Sequence, residues 1–220
     1  MDLVPLAATK ALTSTAALLF ITVLLMSAAK RIPTIIFLFA LQSAILTVQV
    51  AIIAYLNKSP EAYAVAVMVL LVKVVGIPYA LFRLIERLHS SRSVGASISP
   101  AQSVFVAVIL IFLAFSAVRT YAADLGGMEE ALAAGVALIL SGAFLMVSRN
   151  KALMQIMGLL VLENGVFLAA LATTFGMPLV IEIGISFDLV MGVLLMGIFT
   201  FRIRDTFEHL DVSKLRRLRG

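Results

Sequence analysis

Long apolar runs recur along the chain and constrain its fold more than any other feature. Runs close to or longer than the ~20 residues that cross a bilayer lie near 11–29, 33–57, 62–84, 103–122, 129–148, 152–175 and 178–201. They are far longer than a membrane barrel strand and show no alternation of period two, so in lipid the backbone must satisfy its hydrogen bonds within helices. The sequence therefore predicts an all-α, polytopic transmembrane helix bundle with about seven spans.

The balance of apolar and charged residues supports this class. Hydrophobic residues make up 62% of the 220 residues and charged residues 13%, whereas soluble domains carry roughly 25% charged residues. There is too little polar surface to cover a water-soluble globule, so we predict a multi-pass protein of the cell (inner) membrane. The first run could instead be a cleaved signal sequence, but its length and Asp2 favour a retained helix.

Short polar, proline or glycine segments separate the runs and suggest four parts. These are an N-terminal three-helix membrane unit with a cytoplasmic loop (1–102), a linking transmembrane helix (103–128), a second three-helix unit (129–201) and a cytoplasmic tail (202–220). The two units could be a parallel repeat, since 31–51 resembles 149–169 in its basic start and midhelix polar residue, so that Gln42 corresponds roughly to Glu163.

Basic residues are distributed unevenly between the two sides of such a bundle. With seven spans, one side has only Lys10, Lys58 and Arg119, and the other collects Lys30, Arg31, Arg83, Arg87, Arg92, Arg149, Lys151, Arg202, Arg204, Lys214, Arg216, Arg217 and Arg219. The positive-inside rule makes the richer side cytoplasmic, which places the N-terminus outside and the C-terminus inside. The net charge of +5 is then explained by basic residues that face anionic lipid and the cytoplasm, without any nucleic acid.

Several chemistries lack the residues that they need. The chain has no cysteine, so it cannot supply thiolates to an iron–sulfur or nickel–iron centre. His89 and His209 have no partner at metal-ligand spacing, and no phosphate-binding glycine loop or nucleophile–base arrangement is present. We assign no catalytic, cofactor-binding or metal-binding residue, and an enzyme acting alone is not favoured.

The informative residues are charges within the spans. Lys73, Glu163 and Asp188 each lie about ten or eleven residues into a predicted helix, near the middle of the bilayer. Insertion costs ~2.5–3.5 kcal/mol for a charged side chain there, so these three must be paired, neutralised or hydrated. Because loss of water penalises their charged forms, they can exchange protons near pH 7. We predict that they handle protons or ions. The alternative is a static buried pair that locks helix packing.

Uncharged polar positions give weaker signals. Gln42, Gln49, Gln155 and Asn164 could line the same path, but amide hydrogen bonds between membrane helices are common packing devices. Glu182 lies near the predicted outer interface, where it could be a starting point of the path or simply a hydrated residue. Of these, Gln42, Asn164 and Glu182 are the candidates for the path or for packing around it.

Several segments resemble known membrane subunits of redox complexes. SRNKALMQIMGLLVLENGVFLAAL and SFDLVMGVLLMG resemble the K subunit of NADH:quinone oxidoreductase and the C subunit of multisubunit cation/proton antiporters. Over nearly the full length the chain resembles component E of the hydrogenase 4 type of formate hydrogenlyase. The segments that carry this likeness are LFALQSAIL, LLVKVVGIP, LENGVFLAAL, LVIEIGISFDLVMGVLLM and LDVSKLRRLRG. Glu163 lies about three residues later than the usual glutamate of the K subunit, on nearly the same helical face.

The resemblance implies a membrane subunit of a group 4 nickel–iron hydrogenase complex. Glu163 and Asp188 would be titrating carriers, and Lys73 the charge that modulates them or relays between them. The nickel–iron centre and iron–sulfur clusters would belong to partner subunits. Those partners would be antiporter-like membrane subunits and a peripheral hydrogenase arm, with lipid around them. The alternatives are a freestanding secondary transporter and a structural spacer within the membrane arm.

Overall fold

The computed structural model describes residues 6–88, 97–122, 125 and 127–174, which lie within one compact unit of the chain. Most of these residues are helical and none of them lies in a strand, which confirms the predicted all-α fold. Six helices among them are long and apolar enough to cross a membrane, so the chain is a multi-pass membrane protein. The seventh predicted span, 178–201, lies outside the described residues.

Six helices follow one another with short connections between most of them. They are α1 (Leu6–Ala28), α2 (Ile32–Asn57), α3, α4 (Pro100–Tyr121), α5 (Glu129–Ser148) and α6 (Ala152–Thr174). Helix α3 consists of three consecutive segments, which are α-helical Pro60–Val69, π-helical Leu70–Gly76 and α-helical Ile77–Leu88. The predicted third span, 62–84, was therefore too short at both ends, while the other boundaries differ by a few residues.

Helix starts are encoded by proline and serine. Pro33, Pro60 and Pro100 occupy the first or second position of α2, α3 and α4, where a missing amide hydrogen costs nothing. The hydroxyl oxygens of Ser59 and Ser99 accept hydrogen bonds from backbone amides in the first turns of α3 and α4. The turn between α2 and α3 is tight enough to hold Lys58 in the left-handed region, at φ 50°.

Helices α5 and α6 pack against each other through glycine. A Cβ atom on Gly142 would lie 2.5 Å from the amide nitrogen of Leu162 and 2.6 Å from the carbonyl oxygen of Gly158. One on Gly135 would lie 2.7 Å from the amide nitrogen of Ala169 and 2.9 Å from the carbonyl oxygen of Gly165. The two backbones therefore touch, and each glycine is required because membrane helices gain packing energy from such close approach. This contact fixes α6, which carries Glu163.

The outward-facing surface matches a lipid environment. Large apolar side chains such as Phe37, Leu71 and Phe112 are more than 60% exposed, which water would not tolerate across a whole bundle. Tyr55, Tyr63 and Tyr121 are all exposed and lie toward helix ends rather than at helix centres. Tyrosine is enriched at this depth because its ring is apolar and its hydroxyl group reaches the headgroup region.

Hydrogen bonds join several helix connections at one end of the bundle. The guanidinium of Arg149 donates to the carbonyl oxygen of Ser27 at 3.0 Å. The Ser97 amide donates to the carbonyl oxygen of Ser148 at 3.1 Å, and the Ser97 hydroxyl donates to Asn150 at 2.7 Å. We call this the basic end, since its connections contain Lys30, Arg31, Arg149 and Lys151. The opposite end, which contains the α2–α3 turn, is called the Lys58 end.

Single cysteines at the two ends test the predicted orientation. The natural chain has no cysteine, and Lys30 and Lys58 are both exposed in connections at opposite ends of α2. We expect a Lys58→Cys variant to react with a membrane-impermeant thiol reagent in intact cells. A Lys30→Cys variant should react only after the cytoplasmic face is opened, because the basic end is predicted to lie inside. The reverse pattern of labelling would contradict the orientation.

Candidate functional site

Lys73 lies in the π-helical segment of α3. In that segment the Ile77 amide donates to the carbonyl oxygen of Val72, five residues earlier, instead of four. Pro78 explains why the helix widens here, because a proline lacks the amide and its ring collides with the carbonyl four residues earlier. The wider turn is accommodated at Gly76, where a Cβ atom would lie 3.3 Å from the Leu71 carbonyl oxygen. π-Helical turns within helices are often found at functional sites.

The ammonium group of Lys73 forms an ion pair with Glu163. Its Nζ atom lies 3.0 Å from Oε1 of Glu163, and the two side chains are 1% and 2% exposed. Lys73 is at the midpoint of the span Pro60–Glu86, and Glu163 is near the middle of α6. These two charges lie at a depth where burial costs free energy, and each therefore compensates the other, as burial in a bilayer requires.

Asn164 connects this ion pair to helix α2. Lys73 Nζ donates to Asn164 Oδ1 at 3.1 Å, while Asn164 Nδ2 donates to Oε1 of Gln42 at 3.3 Å and to the Ser43 hydroxyl at 3.2 Å. Asn164, Gln42 and Ser43 are fully buried. The adjacent residues Glu163 and Asn164 thus give Lys73 one charged and one neutral acceptor.

The hydrogen bonds continue from α2 to α1. Gln42 Nε2 donates to the Thr22 hydroxyl at 3.1 Å, and Thr22 donates in turn to the carbonyl oxygen of Leu19 at 2.7 Å. From Lys73 onward each group donates a hydrogen bond to the next. The side-chain amide oxygens of Asn164 and Gln42 therefore both face the ammonium side of this series of hydrogen bonds. We call Lys73, Glu163, Asn164, Gln42, Ser43 and Thr22 the Lys73 network. It links α1, α2, α3 and α6.

An aromatic ring borders the network on α6. Lys73 Nζ lies 5.7 Å from the centre of the Phe167 ring, one helical turn beyond Glu163. This separation is within the range in which the negative face of a ring attracts a cation. Phe167 is only 8% exposed and therefore adds a weak third interaction with the buried ammonium group.

A second polar pair joins α1 and α2 closer to the Lys58 end. Gln49 Nε2 donates to the Thr15 hydroxyl at 2.9 Å, and Thr15 donates to the carbonyl oxygens of Ala11 and Leu12. This pair repeats the Gln42–Thr22 bond seven residues away on each antiparallel helix. It lies between the Lys73 network and the Lys58 end.

Arg149 occupies a buried position that the sequence analysis did not anticipate. We interpreted it as one of the charges that face lipid and cytoplasm, and this was wrong, because its side chain is 2% exposed. Its bond to Ser27 satisfies a carbonyl at the C-terminal end of α1, where a positive charge is also favourable. Loss of water around the guanidinium group lowers the pKa of Arg149 below its ordinary value.

The predicted site residues thus fall into three groups. Lys73 and Glu163 are in contact, and Gln42 and Asn164 belong to the same network. Gln155 is exposed and lies outside it. Asp188 and Glu182 lie outside the described residues, so their roles stay predictions. Thr22, Ser43 and Phe167 were not predicted, because a single hydroxyl group or aromatic ring does not stand out among the many in apolar spans.

The arrangement of Lys73 and Glu163 is chemically able to exchange a proton. A lysine and a carboxylate at 3.0 Å can be charged together or neutral together after one proton moves between them. Within the described residues, no group of three His, Cys, Asp or Glu side chains could hold a metal ion. The chemical capacity of the described site is therefore proton transfer within a buried polar network.

Comparison with known proteins gives a relative without an assigned activity. No protein-family model matches the chain, and no solved structure matches it. It is 31% identical over 158 residues to the uncharacterized protein Rv0085 of Mycobacterium tuberculosis (strain ATCC 25618 / H37Rv), an alignment that covers 71% of this chain and 72% of that protein. This identity over most of both chains shows that the protein belongs to the same family as Rv0085.

Proposed function

We propose that this chain is a membrane subunit of a group 4 nickel–iron hydrogenase complex of the formate hydrogenlyase type. In that complex the Lys73 network forms part of a proton or ion path. The observation that carries the proposal is the buried ion pair between Lys73 and Glu163 at the centre of the spans. Charged side chains at that depth are rare and usually mark ion pathways or proton relays.

The location of the resembling segments supports the same proposal. LFALQSAIL contains Gln42 and Ser43, LLVKVVGIP contains the π-helical segment with Lys73, and LENGVFLAAL contains Glu163 and Asn164. These segments are more than a hundred residues apart at the extremes, yet hydrogen bonds join them around one ammonium group. Three of the five segments that carry the likeness therefore contain residues of the site.

The proposal divides the work between this chain and its partners. The described site has protonatable groups and no redox group, so electrons would be transferred by a peripheral arm that carries the nickel–iron centre and iron–sulfur clusters. Antiporter-like membrane subunits would continue the ion path beyond this chain. Glu163 would carry the proton or balance the charge of the ion, and the charge of Lys73 would modulate or relay this step. The chain itself would be a non-catalytic subunit.

Purification in a mild detergent tests the complex directly. An affinity tag on this chain should retain a set of larger membrane and peripheral proteins, together with nickel and iron in the eluted material. Subunit identities can be read by mass spectrometry and metals by elemental analysis. A chain that elutes without metal-bearing partners and transports ions alone in proteoliposomes would contradict the proposal in favour of a freestanding transporter.

A further inference from the structure

The Thr15–Gln49 pair is polar, buried and not part of the Lys73 network. Gln49 is fully buried, whereas Thr15 is half-buried and faces α2 from the first half of α1. Gln49 precedes the end of α2 at Asn57 by eight residues, so it lies roughly 12 Å inside the Lys58 end of the bundle. Its bond to Thr15 joins α1 to α2, as amide hydrogen bonds between membrane helices commonly do, but it uses only the nitrogen of the Gln49 amide group.

Gln49 retains an acceptor that no described residue satisfies. Its Nε2 atom donates to Thr15, but its Oε1 atom has no hydrogen-bond donor in the described part of the chain. A buried amide oxygen without a donor costs ~1–3 kcal/mol. Water is the small donor that usually satisfies such groups, and it needs two or more polar partners. Gln49 Oε1 and the Thr15 hydroxyl provide two partners at the end of the helices closer to bulk water.

The register of α1 and α2 aligns this pair with the Lys73 network. Thr15 pairs with Gln49 and Thr22 pairs with Gln42, so residues between them in α1 face residues between them in α2. Leu19 and Leu46 lie at this intermediate level and are both fully buried. Seven residues separate the two glutamines, which is roughly 10.5 Å along the helix. A thin apolar layer therefore separates two polar levels on the same helix face.

We propose that Thr15 and Gln49 form a water-binding port that leads from the Lys58 end toward the Lys73 network, with Leu19 and Leu46 as the closed layer between them. Amide and hydroxyl groups bind and orient water but do not themselves titrate near neutral pH. Protons would therefore reach the network on water molecules that cross the leucine layer during turnover. Protons would thus enter the path from the Lys58 end of the bundle. This inference rests on the proposed function, since a port has a role only if the network handles protons or ions.

Water access to Gln49 can be measured with single cysteines in the full-length protein in its native membrane. A thiol reacts with methanethiosulfonate reagents as the thiolate, which forms in water but is suppressed in apolar surroundings. Gln49→Cys should therefore react at least about tenfold faster than Val48→Cys, which has the same depth but a lipid-facing side chain. Val48 is 50% exposed on the outer surface of α2. The reagent should be effective from the same side that labels Lys58→Cys.

Each result of this comparison decides the proposal. Equal, slow labelling of Gln49→Cys and Val48→Cys, or faster labelling of Gln49→Cys from the Lys30→Cys side, would overturn the port. If Gln49→Cys does not accumulate in the membrane, Thr15→Cys against its exposed neighbour Ser14→Cys makes the same test. The labelling rate measures the access of water to the thiol and does not depend on ion pumping. Loss of pumping on changing Glu163, with Gln49→Cys unreactive, would leave the proposed function standing and remove only the port.

Discussion

Removal of both members of the buried ion pair should abolish ion pumping while the chain still inserts and assembles. A Lys73→Met/Glu163→Gln variant keeps the approximate size of both side chains and deletes both charges. Replacement of a buried ion pair by neutral groups is often neutral or even stabilising, because the desolvation penalty disappears along with the attraction. Proton carriage cannot survive this change, since neither methionine nor glutamine titrates. We expect pumping to fall at least about a hundredfold, the lower end of what a positioned proton-transfer group contributes.

Single substitutions should behave differently from the double one. Glu163→Gln removes the carboxylate of the buried ion pair, and breaking a buried pair in this way costs about 3–5 kcal/mol. Lys73→Met breaks the same pair by removing its ammonium group. Both single variants should therefore accumulate to lower levels in the membrane than the double variant. Their loss of pumping alone would not separate a relay from a packing role, which is why the double variant carries the test.

The measurement combines proton uptake into inverted membrane vesicles during turnover with the amount of assembled complex on a native gel. A Gln155→Leu variant is a suitable control, because Gln155 is exposed on α6 and lies outside the network. It should pump normally. If the double variant assembles and also pumps at the normal rate, the pair only locks the helices together and the relay hypothesis is wrong.

Features that depend only on the position of a residue along the chain could be predicted from the sequence. A charge in the middle of a 20-residue apolar run is visible without any knowledge of neighbours, so the depth of Lys73 and Glu163 could be predicted from their positions alone. The identity of the partner could not. Lys73 and Glu163 are separated by 90 residues, and their contact depends on how α3 and α6 pack. The sequence left open which carboxylate pairs with Lys73, and the structure gives Glu163.

The π-helical turn was encoded but not recognised. The segment around Lys73 contains Gly76 and Pro78 in the order that permits and requires a wider turn, and helix prediction by apolar run length cannot detect it. The extra residue in the turn changes the direction in which Lys73 projects. Hence a straight α-helix drawn through the same span would place the lysine at the right depth but on another face.

Close packing of α5 and α6 was also missed for a physical reason. Glycines at 135 and 142 and at 158 and 165 repeat every seven residues, so each pair lies on one helix face. Such spacing is meaningful only when the partner helix has glycines at matching levels in the antiparallel direction. In apolar membrane sequences glycine is common. The pattern therefore becomes specific only once the pairing of α5 with α6 is known.

A larger side chain at Gly142 should destabilise the bundle more than the same added volume elsewhere on α5. The Cβ atom of a Gly142→Val variant would meet the backbone nitrogen of Leu162 at 2.5 Å, and backbone atoms cannot move aside as a flexible side chain can. The two helices would have to separate, which would displace Glu163 from Lys73. Overpacking of this kind costs about 3 kcal/mol or more, which corresponds to a fall in Tm of roughly 10 °C for a chain of this length.

Ala143 offers a matched control on the same helix. It is the next residue and its side chain is exposed, so Ala143→Val adds two methyl groups where no neighbour within the described residues restricts them. We expect Ala143→Val to leave the thermal transition of the detergent-solubilised protein within about 2 °C of the unsubstituted chain, as for most surface substitutions. Fluorescence-detected size-exclusion chromatography after heating can measure both variants. Equal Tm values for Gly142→Val and the unsubstituted protein would show that α5 and α6 do not depend on backbone contact, and the position of Glu163 would then need another support.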